Sequence, residues 1–326
     1  MKYKLLGNTD IEVPPIAFGG NVFGWTADEK MSFRLLDELF EKGFNFIDSA
    51  NVYSTWAPGN QGGESEAIIG KWMSQRKNRD KMVIATKLGY LTKETKAVLS
   101  PANIKKQLEA SLKRLQSDYV DVYFSHVFEK HTKIEDTLAT YGALIKAGKV
   151  RSIGASNFPF EMFELSQKIA KENSLPRYEV YQPEYSLMTR KDFEAAYRDY
   201  AIENNIAIIG YFTLASGFLT GKYRSLDETK NTPRAYFLKK FFTDRGEAVL
   251  KALSTVSQKQ GAPQAAIALA WAMAQPGITA PIASASKPAH LASFYQAINL
   301  DLDQEDLGML TEASAESTTQ KINEKN

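Results

Sequence analysis

The sequence predicts an α/β fold: an eight-stranded parallel (β/α)8 barrel of the TIM type, with an N-terminal β-hairpin and a long loop after the seventh strand. Three observations carry this. Short runs rich in Val, Ile and Phe recur eight times along the 326 residues. Amphipathic stretches long enough for helices separate them, as parallel strands joined by crossovers require. The first run ends in Phe18-Gly19-Gly20-Asn21, which lacks the Gly-x-Gly-x-x-Gly turn of an open doubly wound sheet. Eight such units in a chain of this length suit a closed barrel.

Taken in order, residues 4–6 and 11–13 flank the turn Gly7-Asn8-Thr9-Asp10 and read as a hairpin placed to plug a barrel floor. Barrel strands are expected at residues 16–18, 46–47, 82–86, 120–125, 150–153, 178–181, 206–211 and 278–282. Phe33, Leu36, Leu39 and Phe40 recur three and four apart, the spacing of one helix face. Ile104, Leu108, Leu112 and Leu115 do the same, behind a Ser100-Pro101 pair that offers an N-cap and a first-turn proline. Gly43 and Gly148 stand where two helices should stop. The irregular connection over residues 213–243 is long enough to suggest a lid. The tail beyond residue 318 is polar and expected to fray. No linker-like tract divides the chain, so residues 1–326 read as one barrel domain.

Composition narrows the function. The chain has no cysteine, which excludes a disulfide framework, a thiolate metal site and a thiol nucleophile; no metal is expected. Its net charge of +2 provides no basic field for nucleic acid. The N-terminus lacks the apolar core of a secretory signal. The longest apolar stretch, about residues 262–274, is too short and interrupted to span a bilayer. The expectation is a cytoplasmic protein with a small-molecule partner, and neither nucleic acid nor membrane. Nothing marks an oligomer interface.

Barrels of this kind do their chemistry at the C-terminal ends of the strands. The polar residues there are Asp48, with Tyr53 shortly after, then Lys87, His126, Ser156-Asn157, Gln182 and Tyr211. The first four suit carbonyl reduction. A carbonyl that accepts a hydride becomes an alkoxide and needs a proton. Tyrosine can give one, although its free pKa is about 10. A neighbouring ammonium is expected to lower that value, and a carboxylate to keep the ammonium charged. A neutral histidine can donate to the carbonyl oxygen and orient the substrate. Singly, each has an ordinary explanation: a capping carboxylate, a packed tyrosine, a solvated lysine, a satisfied histidine. The combination on three consecutive strands is what points to an active site.

Around these residues the sequence resembles the aldo-keto reductases. The resemblance is carried by residues 45–53 (NFIDSANVY), 84–87 (IATK) and 118–126 (DYVDVYFSH). Residues 63–66 (GESE), 148–158 (GKVRSIGASNF) and 214–223 (LASGFLTGKY) are also similar, in the right order, and the likeness runs from about residue 3 to 315. It implies that the family's four catalytic roles fall on Asp48, Tyr53, Lys87 and His126. It implies a nicotinamide cofactor whose carboxamide is held by Ser156, Asn157 and Gln182, with Tyr211 stacked on its ring. The loop after strand seven, with Leu214, Ser216 and Lys222, is implied in cofactor binding. Its cations Lys222, Arg224, Lys230, Arg234, Lys239, Lys240 and Arg245 suit either a lid over the pyrophosphate or a charged surface loop.

The chain departs from the family after the eighth strand. Ser284, Ser286 and Lys287 are placed to hold an adenosine phosphate, helped by the following helix N-terminus. His290 falls where an arginine is common, and Ser293-Phe294 replace a usual Glu-Asn pair. The resemblance makes NADP the expected cofactor, and these departures keep NAD as the alternative. Trp25 and Trp56, in loops after the first two strands, suit apolar substrate walls or edge packing.

The leading expectation is a reductase of aldehydes, ketones or sugar-derived carbonyls. A cofactor-binding partner protein resembling potassium-channel β subunits is the alternative. A lyase or isomerase using Lys87 as a Schiff-base amine is a third reading, which leaves the cofactor-type segments without a role.

Overall fold

The computed structural model describes residues 1–90 and 96–316; the tail beyond residue 318 lies outside them. β1 (Lys4–Leu5) and β2 (Glu12–Val13) pair antiparallel, Lys4 opposite Val13. Eight parallel strands close a barrel: β3 (Ala17–Gly19), β4 (Phe46–Asp48), β5 (Val83–Leu88), β6 (Val120–Ser125), β7 (Val150–Ser156), β8 (Val180–Gln182), β9 (Ala207–Gly210) and β10 (Ile278–Ala283). Closure runs through Ile282 opposite Ala17 and Ala283 opposite Phe18. Every run read from the sequence is a strand, with ends displaced by up to three residues. Such displacement is common because pairing partners, not local composition, set where a strand stops.

Both faces of each strand are covered, so the strands read as continuous apolar runs rather than alternating ones. Phe46, Val122, Phe124 and Ile209 pack inside the barrel, and Leu6, Ile11 and Val13 of the hairpin join the same cluster. The hairpin thus closes the floor by burying its apolar side against the inner core.

The outer layer comprises α1 (Glu29–Glu41), α2 (Glu64–Arg76), α3 (Pro101–Leu115), α4 (Ile134–Lys146), α5 (Phe160–Glu172), α6 (Arg198–Glu203), α7 (Ala235–Leu238), α8 (Asp244–Gln260), α9 (Gln264–Ala274), α10 (Pro288–Ala297) and α11 (Gln304–Ala313). In α1, Leu35, Leu36 and Leu39 are buried, while Phe33 and Phe40 pack half-buried against them. Its start is capped by the Asp28 carboxylate, which accepts from the Met31 N–H at 2.7 Å. α3 buries Ile104, Leu108, Leu112 and Leu115 as their spacing requires. Ser100 does occupy its N-cap position, but its side chain makes no capping bond; Pro101 begins the helix. No helix among the described residues is long and apolar enough to cross a membrane.

The connection over residues 213–243 is more ordered than its sequence suggests. It holds helical turns at Ala215–Thr220 and Asp227–Thr229 and the short α7. Leu238 and Phe241 are buried beneath it and tie it to the main outer core as a folded strap. These anchors stand three residues apart within the apolar groups Phe237-Leu238 and Phe241-Phe242, and which of these side chains is buried depends on what lies beneath them.

Candidate active site

The parallel pairing puts the ends of β4, β5 and β6 side by side: Asp48 lies opposite Ala85, and Lys87 opposite Phe124. Lys87 and Asp48 are fully buried, with Lys87 Nζ 2.7 Å from Asp48 Oδ2. Nζ also donates to the Ser49 carbonyl and to the Tyr53 hydroxyl oxygen, each at 2.8 Å. An ammonium has three protons, and here three acceptors meet them. The Tyr53 hydroxyl in turn donates to Asp48 Oδ2 at 3.0 Å. Asp48 Oδ1 accepts from Gln182 Nε2 at 3.0 Å. Gln182 ends β8, four strands away and directly across the barrel from β4. One carboxylate therefore ties a lysine, a tyrosine and a glutamine from three regions of the chain.

The Tyr53 phenol departs from its expected behaviour. Burial, then the Asp48 carboxylate, push it well above its ordinary value rather than below it. The loss of water is the largest cause, and the charge and hydrogen bond of Asp48 add to it, so the neighbouring ammonium does not bring the phenol down. At neutral pH the phenol keeps its proton. Burial pulls the Lys87 ammonium down, and Asp48 works against that. His126, just past β6, is held down to about 3 by burial and by the Lys87 charge. It is a neutral imidazole, as expected. Its Nδ1 is buried without a partner among the described residues, and its ring lies 6.3 Å from that of Tyr53.

A hydrogen-bonded arc continues around the rim. Ser156 Oγ donates to the Gln182 carbonyl at 2.8 Å. Asn157, in a left-handed conformation (φ 55°), donates through Nδ2 to Ser156 Oγ and the His126 carbonyl, each at 3.0 Å. The Tyr211 hydroxyl donates to Asn157 Oδ1 at 2.8 Å. Trp25 and Trp56 meet edge to face at 5.7 Å, and Trp56 lies 6.1 Å from the Tyr53 ring.

Further out, Leu214 and Ser216 sit in the turn after β9, where Ser216 has φ 58°. The Ser216 carbonyl lies 3.5 Å from Arg234 Nη1, and the Arg234 guanidinium lies 5.5 Å from the Trp25 ring centre. Lys287 is the N-cap residue of α10 and is exposed, with half-buried Ser286 before it. Ser284 Oγ donates to Asn21 Oδ1 at 2.6 Å. Burial and the charges of Lys222, Lys287 and Arg234 all pull the His290 imidazole down.

A sequence model of the aldo/keto reductase family matches residues 15–315. This chain belongs to the aldo/keto reductase family. Among similar proteins is the uncharacterized oxidoreductase YrpG of Bacillus subtilis, 32% identical over 320 residues, covering 96% of this chain and 95% of the relative. The aldo-keto reductase YhdN of the same organism is 31% identical, covering 94% and 91%. The aryl-alcohol dehydrogenase GME11368 of Pestalotiopsis microspora is 29% identical, covering 94% and 80%. Membership supports carbonyl oxidoreduction in general and, for the family, a nicotinamide cofactor.

In this aldo/keto reductase the residues offered for a phosphorylated cofactor fit an anion. Lys222, Arg234 and Lys287 lie close enough to act on the His290 imidazole, and none of the four pairs with a carboxylate among the described residues. Burial pulls the Arg234 guanidinium down, which marks a partly desolvated cation lacking a counter-charge. Sequence reasoning missed Asn21, the Ser49 carbonyl and the link from Gln182 to Asp48. A backbone carbonyl carries no sequence signal. Asn21 was visible only as a polar residue after a Gly-Gly pair, and its partner Ser284 lies 263 residues away.

Proposed function

We propose that this aldo/keto reductase reduces aldehydes, ketones or sugar-derived carbonyls to alcohols using NADPH, with NADH the alternative, and that its residues 1–326 act as one barrel domain. The observation that carries the proposal is the network in which Lys87, saturated by three acceptors, touches both Asp48 and the Tyr53 hydroxyl.

A bound nicotinamide cofactor supplies the hydride. Tyr53 gives the proton: its raised pKa keeps the phenol protonated, and turning its O–H from Asp48 toward the developing alkoxide delivers it. Lys87 then faces the phenolate it helped to form, and the ammonium stabilises that negative charge. Asp48 keeps the ammonium in place, and Gln182 fixes the other carboxylate oxygen. His126, neutral and short of a partner, donates a hydrogen bond to the substrate carbonyl and orients it. Ser156, Asn157 and Gln182 hold the carboxamide, and Tyr211 covers the nicotinamide ring. Leu214, Ser216, Lys222 and Arg234 serve the pyrophosphate; Ser284, Ser286, Lys287 and His290 serve the adenosine phosphate. Trp25 and Trp56 wall the substrate.

The test is steady-state loss of NADPH and NADH absorbance with para-nitrobenzaldehyde, comparing wild type with Tyr53→Phe. Turnover in wild type and a loss of at least about a hundredfold in the variant are expected. A variant as active as wild type would remove Tyr53 from the proton-donor role.

A further inference from the structure

Resting on that reductase reading, we propose that Glu66 is a positioning residue for proton transfer. With Ser65 beside it in the first turn of α2, it clamps both supports of the Lys87 ammonium and sets a second negative charge on the outer side of β5.

Ser65 and Glu66 are consecutive and fully buried, although α2 lies in the outer layer. Ser65 Oγ donates to the Gly20 carbonyl at 2.8 Å, so the Ser49 hydroxyl, 2.9 Å away, donates to it. The carbonyl of that same Ser49 is one of the acceptors of Lys87 Nζ. Glu66 holds the other support. Its Oε1 accepts from Thr86 Oγ1 at 2.5 Å. Thr86 directly precedes Lys87 on β5, and consecutive strand residues face opposite ways. The lysine enters the barrel while the threonine ties the same stretch of strand to α2. Glu66 Oε2 accepts from Arg114 Nε of α3 at 2.7 Å, and the Arg114 side chain is partly exposed.

A buried ion pair adds little net stability, because desolvation offsets the attraction. What this pair does supply is a charge next to the site. Burial pulls the Lys87 ammonium down, and Glu66 adds to Asp48 in opposing it. The groups facing the ammonium are Asp48, Tyr53, His126 and Glu66; those facing Glu66 are Arg114 and Tyr123. Burial holds His126 neutral and keeps the Tyr123 phenol protonated, so neither changes charge from neutral pH to about 10. Arg114 stays charged throughout. The Lys87–Tyr53 pair is what remains to lose a proton, and it titrates as a unit.

The test measures kcat against pH for para-nitrobenzaldehyde with NADPH in wild type, Glu66→Gln and Glu66→Gln/Arg114→Gln. Glutamine can accept from Arg114 and donate to the Thr86 hydroxyl, so the change is chiefly one of charge. In Glu66→Gln the alkaline limb should move about half a unit to one unit toward lower pH, because losing a nearby negative charge eases deprotonation of either partner. In the double variant, where the net charge is restored, it should return most of the way. In parallel, urea midpoints of wild type, Glu66→Gln, Lys87→Met and their combination give a readout independent of turnover. The midpoint loss caused by Glu66→Gln should be at least about twofold smaller in the Lys87→Met background, where the ammonium it supports is gone. A limb that stays put, a limb that stays displaced in the double variant, or equal midpoint losses would overturn the proposal. Unequal midpoint losses without turnover of any carbonyl would uphold the clamp and remove the reductase reading. Thr86→Val covers the case in which Glu66→Gln does not fold. There kcat should fall about three- to tenfold with KM little changed, and Thr86→Ser should restore it. Full activity in Thr86→Val would then overturn the clamp.

Discussion

Lys87→Met tests the centre of the site. The substitution keeps much of the lysine's length and removes its charge. In wild type, Lys87 and Asp48 are buried together 2.7 Å apart. After the change, Asp48 keeps the Tyr53 hydroxyl and the Gln182 amide as donors but loses its only counter-charge among the described residues. Removing one partner of a buried pair costs about 3–5 kcal/mol, because the remaining charge is uncompensated. Replacing both charges should recover most of this, so Lys87→Met/Asp48→Asn should be more stable than Lys87→Met alone. Urea denaturation followed by circular dichroism reads the three proteins. Activity should not follow stability. Both variants should lose turnover by at least about a hundredfold, while cofactor affinity, measured by fluorescence titration, should change far less. Two results would refute the reasoning: a double variant no more stable than the single one, or a double variant with restored turnover. Equal losses in turnover and cofactor affinity would assign Lys87 to binding rather than to proton transfer.

Three further outcomes are expected. Lys287→Ala should weaken NADPH binding by about tenfold and NADH binding much less, as loss of one charge-assisted contact implies; equal effects in the titrations would put the adenosine phosphate elsewhere. His126 is held down to about 3 against an ordinary value of 6.5, so the unfolded chain takes up a proton that the folded protein refuses between those values. Stability should therefore fall as pH drops from 6.5 toward 3, and the difference between wild type and His126→Gln in urea midpoints should grow over that window; a constant difference would contradict a buried neutral imidazole. At Gly70, where α2 crosses α3, an added Cβ would lie 2.2 Å from the Arg114 carbonyl oxygen. Gly70→Ala should cost about 1–3 kcal/mol or more with KM unchanged, and a silent substitution would mean the helices separate easily.

Much of the fold was legible because barrel strands are local signals. A strand buried on both faces needs a short apolar run, and the runs around residues 82–86 and 120–125 could be little else. The site was legible to the same degree, because Asp48, Lys87 and His126 follow such runs and the ends of barrel strands share one rim. The direction of the Tyr53 shift was not legible. Lys87 alone would lower it, but burial and the Asp48 charge outweigh that effect, and neither can be read from residue order.

The sequence by itself therefore determined the eight-strand alternation, the hairpin and the residue types at the rim, since each depends on neighbours within a few positions. Tertiary structure alone decided that Gln182 reaches across the barrel to Asp48, that Ser284 meets Asn21, and that Arg234 brings the strap over Trp25. It also turned an apparently irregular connection into a strap held by Leu238 and Phe241. These contacts join residues tens to hundreds of positions apart, and they exist only because barrel closure brings every strand end to the same rim.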